Sequence, residues 1–219
     1  MQVVGGLLKG FYRTVLNSEE ALEPMLIIEH RKNSSAELVA VPTSNGVEID
    51  VRSNQEGLYL SHDPYDAGES FRNWLKSYRH ELIVVNVKEE GLENSCLSLL
   101  EDAGVSNFFF LDQSTPFLVK RGLAGARNGA CRTSDYEQLD AKTVRLCDWV
   151  WVDSFFPRPV EDLQIAKLQA QGLKVCLVSP ELHGTERVKE ARALSRDLLS
   201  RGELPEAVCT KDPMMWGQK

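Results

Sequence analysis

The sequence lacks several features that would place it in a specialised class of protein. No apolar run approaches the roughly 20 residues that cross a bilayer. No C-x-x-C spacing links the five cysteines, which favours reduced thiols in a cytoplasmic protein. A basic excess is also missing, because 25 basic residues face 32 acidic ones, and this weighs against a nucleic-acid partner. Residues 1–10 are apolar but have no basic start, so they do not indicate a signal peptide.

What the sequence does contain is a series of short apolar runs of the kind that form strands buried on both faces. The chain of 219 residues has an ordinary globular composition, with 42% apolar and 26% charged residues. Eight runs are found, the fifth of them weak. They span residues 25–28, 46–51, 82–87, 108–111, 123–126, 149–152, 173–178 and 207–210.

Segments of helical character separate many of these runs. They cover residues 71–78, 92–103, 159–170 and 186–200. The repeated alternation of strand and helix predicts a (β/α)8 TIM barrel of near-minimal size, forming a single domain over residues 1–219. The N-terminal segment 1–24 is expected to close the barrel. A doubly wound open sheet is the alternative, although no G-x-G-x-x-G or P-loop sequence follows any strand.

The second run carries two acidic residues where a buried strand should be apolar. Side chains alternate along a strand, so Glu48 and Asp50 share one face, about 7 Å apart, while the valines and the isoleucine share the other. Carboxylates this close repel each other unless a cation lies between them. Oxygen ligands favour Mg²⁺ or Ca²⁺. The alternative is an edge strand with a solvated acidic face.

Two histidines are predicted to reach the same place. His30 and Arg31 directly follow the first run, and active sites of barrels form at the carboxyl ends of the strands. Residues 54–57 read as a hairpin turn, after which the chain returns beside the second strand and brings His62 back near Glu48 and Asp50.

The third and sixth runs supply further candidates. Asn86 and Lys88 share a face of the third run; the amide is a weak candidate metal ligand, and the lysine needs an anionic partner. Trp151 shares a face with Asp153. Packing inside the barrel and a position at its mouth, against substrate, are both open for this tryptophan.

His30-Arg31, Glu48-x-Asp50, a hairpin, His62-Asp63-Pro64 and Lys88 together resemble the glycerophosphodiester phosphodiesterase family, one of the phospholipase-C-like phosphodiesterases. The resemblance is specific over residues 25–88 and weaker as far as residues 209–213. It implies a TIM barrel that cleaves phosphodiesters with a divalent metal.

Carried over by residue, the resemblance implies an acid/base pair of His30 and His62. It also implies metal ligation by Glu48 and Asp50, and phosphate contacts from Arg31 and Lys88. Two positions depart from the family pattern, because Asn86 stands where an acid is usual and Lys32 where a glycine is usual.

Three functions follow from these observations. The first is a metal-dependent phosphodiesterase acting on a small, soluble diester. The second is a catalytically weak or silent barrel that binds a phosphorylated ligand, which Asn86 favours. The third is an isomerase or aldolase with a Schiff base on Lys88, which leaves the histidines and carboxylates without a role. Neither the alcohol of the substrate nor the oligomeric state is indicated by the sequence.

Overall fold

The computed structural model describes residues 25–217, so the predicted role of residues 1–24 in closing the barrel lies outside the described residues. The strands are β1 (Leu26–Glu29), β2 (Gly46–Asn54), β3 (Gly57–Leu60), β4 (Glu69–Ser70), β5 (Ile83–Val87), β6 (Phe108–Leu111), β7 (Ala130–Thr133), β8 (Trp149–Val152), β9 (Lys174–Val178) and β10 (Ala207–Thr210). The helices are α1 (Ser35–Val39), α2 (Phe71–Leu75), α3 (Glu93–Asp102), α4 (Thr115–Leu123), α5 (Ile165–Gln169) and α6 (Val188–Arg201).

Ten strands form one mixed sheet, in which β3 and β4 are antiparallel additions beside β2. The other eight are parallel, and each pairs with its successor, in the order β1, β2, β5, β6, then β7, β8, β9, β10; β10 pairs back with β1. Between β6 and β7 the pairing is reduced to a bridge of Phe110 and Gly129, where the Phe110 N–H donates to Asn128 O at 3.0 Å. The strand order is that of a barrel and not of the doubly wound alternative.

One predicted strand is wrong. Residues 123–126 form the end of α4 and the turn after it, and the strand in that region is β7. The side chain of Ser114 accepts the Phe117 N–H and caps α4, and Pro116 occupies its first turn. A four-residue run of small apolar residues fits the end of a helix as well as a strand, so periodicity did not separate the two.

The core forms two layers, inside and outside the parallel strands. Val47, Ile49 and Val51 of β2 pack outward against α2 and α3. The interior is filled by a cluster that includes Ile28, Val84, Phe109, Trp149, Trp151, Cys176 and Cys209. Polar side chains take over from this cluster at the carboxyl ends of the strands. The fold therefore leaves a polar mouth above an apolar interior.

Among residues 25–217, no helix combines the length and the apolar character that crossing a membrane requires.

Candidate functional site

Two buried carboxylates lie at the mouth, both on the inward face of β2. Glu48 is 1% exposed and Asp50 is fully buried. They share this face because side chains alternate along the strand, while the other face packs against helices. A buried carboxylate is costly unless hydrogen bonds or cations compensate it. The hydrogen-bond donors and cations around Glu48 and Asp50 therefore determine how far their charge is compensated.

Glu48 is held by two neutral donors. The Arg31 N–H donates to Oε2 at 2.8 Å, and the Asn86 amide nitrogen donates to Oε1 at 2.9 Å. Burial, together with the charge of Asp50, nevertheless raises the pKa of Glu48 to about 7. The pair of carboxylates is therefore incompletely neutralised, and it attracts a proton or a cation.

Asp50 is held by charged donors as well. Lys88 Nζ lies 3.1 Å from Oδ1, and Arg31 Nε lies 3.8 Å from Oδ2. Asn33 fixes the same residue twice, because its amide donates to Oδ2 at 2.9 Å and its side-chain oxygen accepts the Asp50 N–H at 2.8 Å. Asp50 is thus fixed in place by the neighbouring loop.

His30 directly follows β1 and lies beside Glu48, with Nε2 3.8 Å from Oε2. Burial lowers the pKa of His30 to about 3, and the charges of Arg31, Lys211 and Lys88 act in the same direction. The imidazole is therefore neutral at physiological pH and has a nitrogen lone pair available. Its Nδ1 is buried and has no hydrogen-bond partner among residues 25–217.

Arg31 occupies the left-handed region of backbone conformation, with φ of 54°. Residues other than glycine rarely adopt this conformation, and it costs on the order of 1–3 kcal/mol. Here it turns the chain so that the Arg31 N–H meets Glu48 while the guanidinium meets Asp50. The strained turn is compensated by two contacts to the carboxylate pair.

His62 follows the β2–β3 hairpin that the sequence predicts. The ladder pairs Val51 with Leu60, and the Ser61 N–H donates to Asp50 O at 3.0 Å. The His62 side chain is about one-third exposed, and its Nδ1 lies 2.8 Å from Asp63 Oδ1. With Nδ1 donating to that carboxylate, Nε2 is the ring nitrogen left to exchange a proton.

A cavity of about 440 Å³ lies beside His62, and neither Glu48 nor Asp50 lines it. His62 and Asn33 both line it, and Asn33 is hydrogen-bonded to Asp50. The structure thus brings His30, Arg31, Glu48, Asp50, Asn86 and Lys88 into one connected cluster. The His62 imidazole lies outside this cluster and contacts Asp63 instead.

Three side chains of the cluster carry oxygens of the kind that a hard divalent cation binds. Glu48 and Asp50 supply carboxylate oxygens, and the side-chain oxygen of Asn86 is buried with no partner among the described residues. Such oxygens suit Mg²⁺ or Ca²⁺. Within residues 25–217, however, no group of three or more His, Cys, Asp or Glu side chains is arranged to hold a metal. The chemistry of these oxygens fits such a cation, but the described residues supply two carboxylates and one amide for it and no third acid.

Trp151 lies in the interior cluster beneath the mouth and is 4% exposed. Asp153, just beyond it, is also buried and takes part in the polar network opposite β2. Of the two open positions for Trp151, the structure shows the packed one. Its predicted contact with substrate requires a ligand that reaches below the polar layer.

That polar network was missed by the sequence analysis. Arg132 in β7 donates to Asp112 at 2.6 Å and to Asp153 at 2.7 Å, and His183 Nε2 lies 2.5 Å from Asp153. Asp112 and Asp153 directly follow apolar runs, so position after a strand was a usable signal for both. The sequence gives no such signal for His183, because its contact with Asp153 depends on the path of a loop.

Two further residues at the cluster were missed, Asn33 and Lys211. Asn33 lies in the loop after β1, and no strand periodicity marks it. Lys211 directly follows β10, which pairs with β1 and thereby brings Lys211 near enough to lower the pKa of His30. A lysine after the last apolar run was the available signal.

Comparison with known proteins gave a match in structure alone. No protein-family model and no curated protein matches the chain. The crystal structure of a glycerophosphodiester phosphodiesterase from Agrobacterium tumefaciens is similar, with a TM-score of 0.60 over 88% of this chain and 98% of that chain, at 14% identity. The two chains share a fold. A fold of this kind is what the resemblance of residues 25–88 implied.

Proposed function

We propose that the protein is a phosphoric diester hydrolase that cleaves a small glycerophosphodiester-like substrate by acid–base catalysis with His30 and His62. The observation that carries the proposal is the cluster at the mouth, where a neutral histidine, two carboxylates and two cations meet within hydrogen-bond or ion-pair distance. The fold shared with a glycerophosphodiester phosphodiesterase supports it.

Arg31 and Lys88 are proposed to bind the phosphoryl oxygens and to stabilise the charge that grows on them in the transition state. Both cations already approach Asp50 without consuming every donor, because a guanidinium carries five N–H groups and an ammonium carries three. A bound diester would therefore share these donors with the carboxylate.

His30 is proposed to accept the proton of the attacking hydroxyl, because it is neutral at physiological pH. Arg31 and Lys88, two of the three cations that lower the pKa of His30, are the ones proposed to bind phosphate. Binding of an anion would offset their charge and make the imidazole a stronger base. His62, oriented by Asp63, would then donate a proton to the leaving alkoxide.

Glu48, Asp50 and Asn86 are the residues that would hold Mg²⁺ or Ca²⁺, and the ion would supply further positive charge to the phosphoryl oxygens. The unpartnered oxygen of Asn86 and the raised pKa of Glu48 support this assignment.

The test is an assay of the purified protein on a panel of glycerophosphodiesters and nucleotide-linked diesters, with Mg²⁺, with Ca²⁺ and with a chelator. We expect turnover of at least one glycerophosphodiester. Replacement of either catalytic histidine, His30→Ala or His62→Ala, should lower kcat by about 10²–10⁴-fold, as loss of a general acid or base does.

His80→Ala is the matched control. The His80 imidazole contacts Val41 O at 3.0 Å, away from the carboxylates, so this variant should keep its activity. Unchanged turnover in either His30→Ala or His62→Ala, with the fold retained by circular dichroism, would refute the assignment.

A catalytically silent barrel that binds a phosphorylated ligand is the second candidate. The observation that favours it is that Asn86, Arg31, Asn33 and Lys88 already occupy oxygens of the two carboxylates, which leaves fewer of them for a cation. Heat stabilisation by phosphate monoesters or diesters, without turnover of any diester in the panel, would select this function.

Two wider features belong to the same proposal. We take the eight parallel strands to form a closed TIM barrel, on the strength of the Phe110–Gly129 bridge. We also take the protein to be cytoplasmic, which the five free, buried cysteines support.

A further inference from the structure

Two thiols meet on the outer side of the sheet, away from the mouth. Cys131 lies in β7 and Cys147 lies two residues before the start of β8, and their sulfur atoms are 2.8 Å apart. Both are free and buried, and they pack with Leu118, Leu139 and Leu146. Closing this separation to the roughly 2.05 Å of a disulfide needs a movement of less than about 1 Å.

We propose that Cys131 and Cys147 are a peroxide-sensitive pair that forms an intramolecular disulfide, a modification site independent of the proposed phosphodiesterase activity. Neither side chain belongs to the cluster at the mouth, and the pairing needs no metal and no substrate.

The oxidant is hydrogen peroxide, and the reaction has two steps. The Cys131 thiolate attacks one peroxide oxygen, the O–O bond breaks, and a sulfenic acid and hydroxide result. The sulfur of Cys147 then attacks the sulfur of Cys131, the S–O bond breaks, and the oxygen leaves as water. In sum, two thiols and one peroxide give one disulfide and two waters, and two electrons pass from sulfur to oxygen.

The hydrogen bond between the sulfurs makes the two thiols unequal. It lowers the pKa of Cys131, with further help from a hydrogen bond that involves Thr143 and from the charge of Arg127. The same hydrogen bond, together with burial, raises the pKa of Cys147, which keeps its proton. Cys131 is therefore the thiol that reacts first, since the thiolate is the nucleophile.

The exposure of the two thiols also favours oxidation of Cys131 before Cys147. Cys131 is 7% exposed, whereas Cys147 is fully buried. Leu139 packs against the cluster that contains both thiols and also lines a cavity of about 1050 Å³ between the β7–β8 segment and α5. One layer of side chains thus separates the thiols from a space that a molecule as small as peroxide can enter.

The other three cysteines lack such a partner. Cys96 lies in α3 within the outer core, and Cys176 and Cys209 face the barrel interior. Within residues 25–217, no second pair of cysteine sulfurs is in hydrogen-bond contact. Oxidation is therefore expected to select one pair out of five thiols.

The disulfide would join positions sixteen residues apart and restrict the segment between β7 and β8. A crosslink over a loop of this length reduces the entropy of the unfolded chain. We expect the midpoint of thermal unfolding to rise by about 5–10 °C on oxidation and to return on reduction.

The test treats the full chain with a small excess of hydrogen peroxide, blocks the remaining thiols in denaturant, and analyses intact mass and tryptic peptides. We expect loss of two of the five thiols, a peptide that links Cys131 to Cys147, and its disappearance with dithiothreitol. Cys131→Ser and Cys147→Ser should each abolish the linked peptide, and Cys176→Ser, the matched control, should keep it.

Survival of all five thiols at a peroxide concentration that oxidises glutathione would overturn the proposal. A linked peptide from a different pair, or a sulfonic acid on Cys131 without any crosslink, would do so as well. The peptide analysis of the unmodified sequence decides the matter even where a serine variant fails to fold.

Discussion

Asn86 is the residue on which the properties of the carboxylate pair depend most directly. Its amide nitrogen donates a hydrogen bond to Glu48, while its oxygen stays unpartnered among the described residues. An acid at this position would add a third buried negative charge and remove that hydrogen bond. We therefore expect the asparagine to stabilise the protein without a metal and to limit its affinity for the cation proposed above.

Asn86→Asp tests this balance. In a chelating buffer the variant should unfold about 4–8 °C below the parent protein, because a buried carboxylate without compensation costs about 2 kcal/mol or more. Added Ca²⁺ or Mg²⁺ should restore most of that loss and should stabilise the variant more than the parent. Calorimetry with and without the metal measures both effects.

Asn107→Asp is the control for the charge change itself, because Asn107 donates to Glu81 O at an exposed position. It should show no gain in metal response. Equal stability of Asn86→Asp and the parent protein in chelator would contradict the account given for Glu48.

Cys96 gives a pH dependence with a definite sign. Burial raises the pKa of its thiol to about 12, with a smaller contribution from Glu93. The folded state therefore holds the proton more tightly than the unfolded state, whose thiol has its ordinary pKa near 9. The resulting stability is present below pH 9 and is lost as the pH rises from 9 to 12.

Cys96→Ala should accordingly lose about 1 kcal/mol less unfolding free energy than the parent protein between pH 8 and pH 10. Urea unfolding at the two pH values measures this difference, and contributions of other groups cancel in the comparison. Identical losses in the two proteins would show that Cys96 ionises normally in the folded state.

At the residue scale, the sequence predicted the side chains that strand alternation places. Glu48, Asp50 and Asn86 face inward because each lies on the polar face of its strand. Asn33 and His183 were not predicted, since they reach the carboxylates Asp50 and Asp153 from loops. The path of a loop depends on packing across the whole mouth, and such packing leaves no local pattern in the sequence.

The β2–β3–β4 unit is the element that carries His62 toward the mouth. Its turn was readable from sequence because Gly57, with φ of 121°, follows polar turn residues, and the observed ladder pairs Asn54 with Gly57. The approach of β4 was not readable. It depends on Gly68, whose backbone lies directly against Leu60.

Gly68→Ala should destabilise the protein by about 1–3 kcal/mol, because the added methyl group would collide with the Leu60 carbonyl, which cannot rotate away. The loss should appear in urea unfolding. If the β3–β4 contact opens locally, the variant should also expose His62 further and weaken the proposed catalysis.

Gly217→Ala is the matched control, because the nearest atom to its added methyl group would be Pro213 O at 3.6 Å. It should leave the unfolding free energy nearly unchanged. Equal stability of the two variants would mean that β4 does not pack as closely against β3 as described.

The parallel strands differ in how firmly they are joined over the whole molecule. β2 and β5 are paired through five register positions, whereas β6 and β7 meet only at the Phe110–Gly129 bridge. Runs of apolar residues predicted the strands, but not this weak junction. Strand length depends on the local run of apolar residues. The pairing of β6 with β7 depends instead on how α4 and the loop after it direct the chain into β7.

Hydrogen exchange should identify this junction. The Phe110 N–H, with its bond to Asn128 O, should exchange faster than the Val85 N–H in the centre of the β2–β5 ladder, because fewer neighbouring bonds must open together. Exchange measured by mass spectrometry or NMR gives the comparison directly. Equal protection of the two amides would show that the junction is as firm as the full ladders.

The basic side chains Arg31, Lys88 and Lys211 at the mouth belong to a chain whose net charge is −7. In dilute buffer the repulsion from the whole molecule extends about 30 Å, but only about 8 Å at physiological ionic strength. An anion would therefore bind faster at moderate salt, which screens repulsion from the acidic exterior but leaves the short-range attraction of the basic side chains at the mouth. We expect kcat/KM for an anionic diester to rise from 10 mM to about 150 mM salt and to fall again near 1 M. A steady decline across that range would mean that the acidic exterior does not reach the approaching anion.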